Sequence, residues 1–264
     1  MKTVCVIGVG KMGSLIVRHI VKTGEYRVVA TDVDPGKRLL ANSYGAEVFE
    51  NNRDAVKSSD VIILAVKPRE VQAVLNDVKD LVGGKLVVSI AAAVSLKHME
   101  KIAPDARFIR VMPNILIDVG EAFIAISPGS RATEEDVELA SRVFSGMGEI
   151  ARVEEGLMDA VTGFSGSGPA YVFTIMDAFA DAGVKIGLPK ELALRMAARM
   201  MLGSAKIVLE GKGKPMELRD MVATPGGTTI MGIYELEKGG VRAAIMNAVD
   251  AAFKRAKELA ESSY

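Results

Sequence analysis

The sequence has only one cysteine and no excess of positive or negative charge. Each of these features excludes some classes of protein. A single cysteine, Cys5, excludes a disulfide framework, and its position in the apolar run 4–7 indicates a buried side chain. The 33 Lys and Arg residues balance 33 Asp and Glu residues, so no net positive field attracts nucleic acid or anionic lipid. We therefore expect small-molecule partners, with no nucleic acid, membrane or metal.

Long hydrophobic runs are also absent. The longest, at 61–66 and 86–94, fall well short of the roughly 18 residues that suggest a membrane span. The apolar stretch near the N-terminus, 4–7, is too short and is broken too soon by Gly8 to be a signal peptide. We therefore expect a cytoplasmic protein without a membrane segment.

Histidine is scarce, which bears on the chemistry. His19 lies in a helical pattern and His98 in a polar turn, and neither is flanked like a catalytic base. A hydroxy-acid dehydrogenase needs a group that moves the hydroxyl proton, usually His or Lys, but no lysine follows the glycine-rich helix start at 165–169 until Lys185. An imine nitrogen is basic and can arrive already protonated. The sequence therefore favours reduction of an imine over oxidation of an alcohol.

The pattern of the first 153 residues predicts a doubly wound α/β domain. Short β-branched runs alternate there with helical patterns, which is typical of βαβ units in a mostly parallel sheet covered on both faces. Strands are predicted at 4–7, 27–31, 61–64, 86–89, 108–111, 122–126 and 149–153. Thr133 is predicted to cap a helix over 134–147, with Asp136 at the third position of the capping box.

The pattern changes at about residue 154, which we predict to begin a second domain that is all-helical and ends at residue 264. Apolar residues recur there every three or four positions with no further strand-like run. Pro189 and Pro215 are predicted to begin helices, Gly211 to follow one, and Gly239 and Gly240 to separate the last two. Many of the 14 methionines fall in this half. The apolar faces of such helices must be buried, and a second copy of the chain can bury them, which predicts a homo-oligomer.

A glycine fingerprint predicts a dinucleotide site. Three glycines follow the first strand and open a helix. Gly8 permits a tight turn, Gly10 lets a pyrophosphate approach the backbone, and Gly13 lets the helix pack closely against the strand. Asp32, about twenty residues further on, follows the second strand, where a carboxylate can accept hydrogen bonds from a ribose hydroxyl. This carboxylate favours NADH, whereas nearby cationic and amide side chains attract the extra phosphate of NADPH, so both cofactors stay open. These side chains are Lys37, Arg38, Asn52 and Arg53.

A second cofactor segment is predicted where a buried strand ends and a helix begins, at the carboxyl edge of the sheet. Lys67 in this segment either faces the cofactor or is a solvated residue before a helix that starts at Pro68. The predicted cofactor residues are Gly8, Gly10, Lys11, Met12, Gly13, Asp32, Asn52, Ala65, Val66, Lys67 and Pro68.

An unusual segment in the helical half reads Thr-Pro-Gly-Gly-Thr-Thr-Ile from residue 224. Its two glycines free the backbone just before a helix, and the amides at a helix start can hold an anion such as a carboxylate. The hydroxyls of Thr228 and Thr229 add neutral donors. An ordinary Pro-Gly turn with a threonine cap is the alternative interpretation.

Three segments together resemble the pyrroline-5-carboxylate reductase family: Asp-Ala-Val-Thr at 159–162, Ser-Gly-Ser-Gly-Pro-Ala-Tyr at 165–171, and residues 218–230 with the Pro-Gly-Gly-Thr-Thr-Ile loop. The resemblance spans almost the whole chain. It implies a Rossmann domain followed by a helical domain that intertwines in a homodimer, a further assembly such as a decamer, and an active site between one nucleotide domain and the helices of the dimer. The implied activity is the NADPH- or NADH-dependent reduction of 1-pyrroline-5-carboxylate to L-proline, the last step of proline biosynthesis.

The same resemblance implies the substrate site. It places the substrate carboxylate on the loop 224–229 and the hydroxyl of Thr229, the catalytic residue, on the ring nitrogen. The expected substrate residues are Ser167, Thr224, Gly226, Gly227, Thr228 and Thr229. The chain departs from the family pattern at Ile115-Leu116-Ile117, where a Thr-Pro pair is usual, at Arg199, where Gln is common, and at Val33, where Arg is frequent. The first bears on the shape of the substrate pocket and the last on NADPH preference.

Three other functions compete with this one. A reductase of another cyclic imino acid, such as a six-membered analogue, fits the same sequence features. A non-catalytic nucleotide-binding protein would not need the Pro-Gly-Gly-Thr-Thr-Ile loop. A hydroxy-acid dehydrogenase would need a helix lysine near 165–171, which the sequence lacks.

Overall fold

The computed structural model describes residues 1–262, without the side chain of Ser262, and contains one eight-stranded sheet. The strands are β1 (Thr3–Ile7), β2 (Arg27–Thr31), β3 (Glu47–Phe49), β4 (Val61–Leu64), β5 (Leu86–Ser89), β6 (Arg107–Met112), β7 (Ala122–Pro128) and β8 (Gly148–Arg152). Their order is β3-β2-β1-β4-β5-β6-β7-β8, and all neighbours are parallel except β6 and β7. The order reverses between β1 and β4, which confirms the doubly wound, Rossmann-type sheet.

Helices cover this sheet and bury its central strands. They are α1 (Lys11–Thr23), α2 (Pro35–Ser43), α3 (Asn52–Lys57), α4 (Pro68–Val78), α5 (Leu96–Ile102), α6 (Glu134–Val143) and α7 (Met158–Val161). Short 3₁₀ turns cover Ile115–Val119 and Glu155–Leu157, and a π-helical turn covers Thr162–Gly166. Every residue of β1, β4 and β5 is buried, as expected for parallel strands with helices on both faces.

The structure confirms the seven predicted strands, with one addition and one corrected helix end. β3 was not predicted, because it is a partly exposed edge strand of three residues. The helix after Thr133 has the predicted capping box, in which the Asp136 amide donates to Thr133 Oγ1 at 3.2 Å. It ends at Val143, so the prediction of residue 147 was wrong. Gly146, with φ at +78°, takes a left-handed conformation as the chain turns towards β8.

The second half of the chain is helical, as predicted: α8 (Gly168–Lys185), α9 (Lys190–Leu209), α10 (Pro215–Val222), α11 (Thr228–Lys238) and α12 (Val241–Ser262). Two compact units divide the chain, one of residues 1–167 and 251–264 and the other of residues 168–250. The last helix thus belongs to both units. The domain boundary predicted from the sequence lies at 153–154 instead and stays a prediction. No helix among residues 1–262 is long and apolar enough to cross a membrane.

The unit of residues 168–250 leaves most of its large apolar side chains exposed. Its buried residues are all small or ring-constrained: Pro169, Ala180, Gly183, Ala193 and Ala197. A Cβ on Gly183 would lie 2.5 Å from the Cβ of Ala193, so this glycine allows α8 and α9 to pack closely. Leu202 is 56% exposed. So many exposed large apolar side chains in one unit are typical of an interface with another chain.

Candidate active site

The glycine fingerprint forms the turn between β1 and α1, and two of its glycines are required by the protein itself. Gly8 has φ at +95°, and a Cβ there would lie 2.8 Å from the Ala65 carbonyl oxygen. A Cβ on Gly13 would lie 1.9 Å from the carbonyl oxygen of Gly8. Gly10 is different, because a Cβ there would meet no atom within 4 Å. Its missing side chain therefore leaves open space beside the backbone, which suits a ligand rather than packing.

The start of α1 lies at this open space. Gly10 is the N-cap of α1 and provides no side-chain hydrogen bond to the first turn. The amides of Lys11 and Met12 therefore begin the helix without a side-chain cap, and the helix dipole adds positive character. Lys11 is exposed, whereas Met12 packs partly against the core. These residues fit the pyrophosphate of a dinucleotide.

The structure places Asp32 beside the glycine loop and gives its carboxylate protein partners. Its Oδ2 accepts a hydrogen bond from the Val9 amide at 2.7 Å, and its Oδ1 accepts one from the Asp34 amide at 2.9 Å. Its side chain is 7% exposed, and Lys37 Nζ lies 3.8 Å from Oδ2. The carboxylate therefore ties the glycine loop to the end of β2. Its role in ribose binding stays a prediction.

The four polar side chains that were predicted to attract the phosphate of NADPH differ in their partners: Lys37 and Arg38 contact Asp32, whereas Asn52 and Arg53 contact α4 and the residues after it. Arg53 is engaged, because its guanidinium donates to both oxygens of Asp80 at 2.8 and 2.7 Å. This pairing lowers the pKa of the Asp80 carboxyl to about 2. Asn52 donates to Asp77 at 3.3 Å. Arg38 donates from one nitrogen to the Asp32 carbonyl at 2.7 Å and, with Lys37, is only partly buried.

Residues 65–68 lie where the sequence analysis predicted, at the carboxyl end of β4. The Ala65 amide donates to the Ile7 carbonyl at 2.8 Å, which brings this segment beside the glycine loop. Lys67 is the N-cap of α4, its amide donates to Glu70 at 3.1 Å, and its side chain is exposed. Pro68 is the first helical residue, as predicted. Residues 8–13, 32 and 65–68 are thus grouped at one edge of the sheet.

Neither histidine is placed as a catalytic base. His19 Nε2 lies 2.8 Å from the Ser145 carbonyl oxygen, which can only accept, so this nitrogen donates to it. His98 lies in the first turn of α5, where burial and the nearby Lys101 lower its pKa. Both positions agree with the interpretation of these residues as surface or packing residues.

A polar cluster at the carboxyl end of β6 was not among the predicted site residues. Asn114 is 6% exposed, and its Oδ1 accepts from the Leu116 amide at 2.9 Å. Its Nδ2 donates to the carbonyl and the hydroxyl of Ser165, at 3.1 and 3.3 Å. The available signals were the place of Asn114 directly before the departure at Ile115-Leu116-Ile117 and the place of Ser165 in a segment that carries the family resemblance. Ser167, which was predicted, donates its hydroxyl to the Thr162 carbonyl at 3.3 Å.

Arg110 fastens the same segment to β6. Its guanidinium is 4% exposed and lies 3.6 Å from Glu155 and 3.5 Å from Asp159. The Nε atom of Arg110 is buried and has no partner among the described residues. Because a lone buried cation is costly, the two carboxylates hold residues 155–159 against the strand.

The loop 224–229 lies in the helical unit and has the geometry of a helix-start anion site. The Gly227 amide donates to the Thr224 carbonyl at 3.0 Å, and Gly226 takes φ of +67° in this turn. A Cβ on Gly227 would lie 2.3 Å from Thr224 Oγ1, so a larger residue there would displace the Thr224 hydroxyl. Gly227 is the N-cap of α11 and gives the helix no side-chain cap. The turn of the alternative interpretation is present, but the threonine cap is not; binding of an anion at this loop stays a prediction.

The first amides of α11 are consequently available to an anion. Thr228 is exposed and Thr229 is partly buried, and both belong to the first turn of this 11-residue helix. No metal-ligand cluster is present among the described residues. A cavity of about 540 Å³ lies elsewhere, between the start of α5 and the ends of β7 and β8, and none of the predicted site residues lines it.

Comparison with known proteins gives a consistent result. A family described as pyrroline-5-carboxylate reductase dimerisation matches residues 155–259, and one described as NADP oxidoreductase, coenzyme F420-dependent, matches residues 3–93. The pyrroline-5-carboxylate reductase of Methanosarcina acetivorans is 46% identical over 96% of this chain and 96% of its own length. That of Arabidopsis thaliana is 44% identical over 97% and 95%.

Solved structures agree with these relatives. The Plasmodium falciparum pyrroline carboxylate reductase with NADP bound has a TM-score of 0.91 at 29% identity, and 98% of each chain is covered. The Coxiella burnetii pyrroline-5-carboxylate reductase has a TM-score of 0.89 at 31% identity, again with 98% of each chain covered. The similarity therefore extends over both the sheet and the helical half.

Proposed function

The chain belongs to the pyrroline-5-carboxylate reductase family, and we propose how its residues reduce 1-pyrroline-5-carboxylate to L-proline. It is an oxidoreductase of proline biosynthesis that uses NADPH or NADH. The nicotinamide supplies a hydride to the imine carbon. The chain must bind the dinucleotide, hold the imine in place and leave the ring nitrogen protonated.

The dinucleotide role falls to the glycine loop. The open space at Gly10 and the uncapped start of α1 support binding of the pyrophosphate there. Asp32 holds the loop in this shape through the Val9 amide. Lys37 and Arg38 remain partly accessible near the end of β2, which supports an interaction with the 2′-phosphate of NADPH. Asn52, Ala65, Val66, Lys67 and Pro68 complete the proposed site.

The uncapped start of α11 is the observation that carries the substrate assignment. A carboxylate bound by the first amides of α11 replaces the missing cap and is favoured by the helix dipole. The Thr229 hydroxyl then hydrogen-bonds the ring nitrogen, while Thr224, Gly226, Gly227 and Thr228 shape the cradle. Ser167 is the remaining proposed substrate residue.

The proton on nitrogen needs no acidic side chain. His19 is bonded to a backbone carbonyl, and His98 lies on α5. A cyclic imine is basic enough to bind in its protonated form, so hydride addition to carbon yields the neutral secondary amine directly. The hydroxyl of Thr229 orients that nitrogen without titrating near neutral pH.

A substrate panel tests this function. Initial rates of NADPH and NADH oxidation are measured with pyrroline-5-carboxylate, with its six-membered analogue and with simple 2-keto acids, and 2-hydroxy acids are tested with the oxidised cofactors. We expect turnover with pyrroline-5-carboxylate and formation of proline, and none with the keto or hydroxy acids. Turnover of the keto or hydroxy acids alone would refute the proposal, and a preference for the six-membered ring would reassign the substrate.

We also propose that the protein forms a homodimer in the cytoplasm that assembles further, as a decamer. The family described as a dimerisation family covers the helical half, which supports self-association. The balanced charge supports small-molecule partners rather than nucleic acid or membrane. Light scattering coupled to size-exclusion chromatography gives the subunit number directly.

A further inference from the structure

We propose that the Ser165 hydroxyl, oriented by Asn114, donates a hydrogen bond to the carboxamide oxygen of the bound nicotinamide. This inference rests on the proposed function. Ser165 lies in the π-helical turn Thr162–Gly166, a rare conformation that often occurs at functional sites.

The orientation of the Asn114 amide is fixed by its neighbours. The Leu116 amide can only donate, so the atom that accepts from it at 2.9 Å must be Oδ1. The Ser165 carbonyl can only accept, so the atom 3.1 Å from it must be Nδ2. The same Nδ2 lies 3.3 Å from the Ser165 hydroxyl oxygen and donates to it.

This arrangement leaves the hydroxyl hydrogen of Ser165 free to donate. Other hydroxyls of the segment donate back to the helix, from Thr162 to the Met158 carbonyl at 2.7 Å and from Ser167 to the Thr162 carbonyl at 3.3 Å. The Ser165 hydroxyl has no acceptor among residues 1–262, and it is only partly buried. Asn114 therefore turns it into a positioned donor.

The position of the Ser165 hydroxyl relative to the sheet indicates that the nicotinamide half of the dinucleotide binds beside it. Asn114 follows β6, a strand parallel to β1, at the carboxyl edge of the sheet. In a doubly wound sheet, the half with the glycine fingerprint binds one mononucleotide, and the half beyond the order reversal binds the other. β4, β5 and β6 form that second half here. The nicotinamide carboxamide has an acceptor oxygen that suits a neutral hydroxyl donor.

The segment that carries Ser165 is also held firmly against β6. Arg110 binds Glu155 and Asp159 at one end of it, and Asn114 binds Ser165 at the other. Polar contacts from β6 and from the residue shortly after it fix the segment, so the hydroxyl is pre-organised and little ordering entropy is lost when it binds.

The test measures binding by calorimetry, without turnover, for NADPH and for its adenosine half, adenosine 2′,5′-bisphosphate, with NADH and AMP as the parallel pair. We expect Ser165→Ala to weaken dinucleotide binding about five- to tenfold, the value of one neutral hydrogen bond, and to leave the adenosine half unchanged. Ser58→Ala is the matched control, because its hydroxyl donates to the Ala55 carbonyl before the amino end of β4. It should bind both ligands like the wild type.

Asn114→Asp provides an independent variant. An aspartate keeps the acceptor for the Leu116 amide but turns the Ser165 hydroxyl towards itself, so it should weaken dinucleotide binding as Ser165→Ala does. In the Ser165→Ala background the same change should then add no further loss. If a folded Ser165→Ala variant binds the dinucleotide with wild-type affinity, this inference is overturned and the proposed function is not. The same holds if Ser165→Ala raises the KM for the imine without changing dinucleotide affinity. Failure of the wild type to bind either dinucleotide overturns the proposed function.

Discussion

At the residue scale, Gly10 and Gly13 have different roles: Gly10 leaves space for the ligand, and Gly13 is required by the packing of the fold. A Cβ at Gly10 has open space around it, so Gly10→Ala should keep the wild-type melting temperature. The added methyl stands where the pyrophosphate must approach, and we expect the dissociation constant for NADPH or NADH to rise at least about tenfold, or about 1.4 kcal/mol.

Gly13→Ala is the matched control for that prediction. Its Cβ would lie 1.9 Å from a backbone oxygen, so we expect loss of stability of about 1–3 kcal/mol or more. Calorimetric melting and dinucleotide titration of both variants test the pair. Unchanged dinucleotide affinity in a folded Gly10→Ala variant would remove the pyrophosphate from this loop.

Asp32 leads to a second residue-scale prediction. Because both carboxylate oxygens accept backbone amides, the side chain shapes the glycine loop that both cofactors share. Asp32→Ser should therefore weaken the binding of NADH and of NADPH, each several-fold, when the two are titrated separately. Removal of the negative charge should still raise the affinity for NADPH relative to that for NADH. If neither affinity nor their ratio changes, Asp32 has no part in the cofactor site.

At the element scale, the capping box of α6 predicts how stability depends on pH. Burial raises the pKa of Asp136, but the bonds from the Thr133 amide and from Arg107 outweigh it and hold the pKa below its ordinary 3.8. A lowered pKa in the folded protein stabilises it above about pH 4, and this contribution is lost as the pH falls further.

The wild type should therefore lose stability in denaturant titrations between about pH 5 and pH 3. Asp136→Asn should be less stable at pH 7 and should show a shallower loss over that range. A variant with the same acid dependence as the wild type would show that other carboxylates control it.

The elements also show what a sequence can predict. β1, β4 and β5 were predictable because buried parallel strands are continuous apolar runs. β3 was not, because three partly exposed residues at an edge give no periodic signal. The end of α6 was missed because apolar periodicity continues to Met147, a buried residue that packs after the helix has ended.

The site residues also fall into a group that the sequence predicts and a group that it does not. The glycine fingerprint was predictable because Gly8 and Gly13 serve local backbone needs and Gly10 leaves space for the ligand, all within one short segment after a strand. Asn114 and Ser165 are 51 residues apart, and their hydrogen bond depends on how the segment 155–166 packs on β6. Contacts of that separation have no signature in a single sequence.

At the scale of the whole molecule, the exposed apolar face of the helical unit predicts self-association. We expect a mass at least twice the 28.0 kDa of the chain by light scattering at micromolar concentration. Leu202→Glu, on α9, should shift the protein towards the monomer. Leu39→Glu is the matched control, because Leu39 is 69% exposed on α2 of the other unit. Equal masses for both variants would place the interface elsewhere.

We propose that the start of α11 binds the imine through the Thr229 hydroxyl, and that the glycine loop after β1 binds the hydride donor. The most direct measurement compares kcat/KM for pyrroline-5-carboxylate in the wild type and in Thr229→Val, which removes the hydroxyl at nearly constant volume, with Thr229→Ala alongside. We expect a loss of about ten- to a hundredfold in both variants, with the NADPH or NADH dissociation constant unchanged. Full activity in a folded Thr229→Val variant would contradict the account.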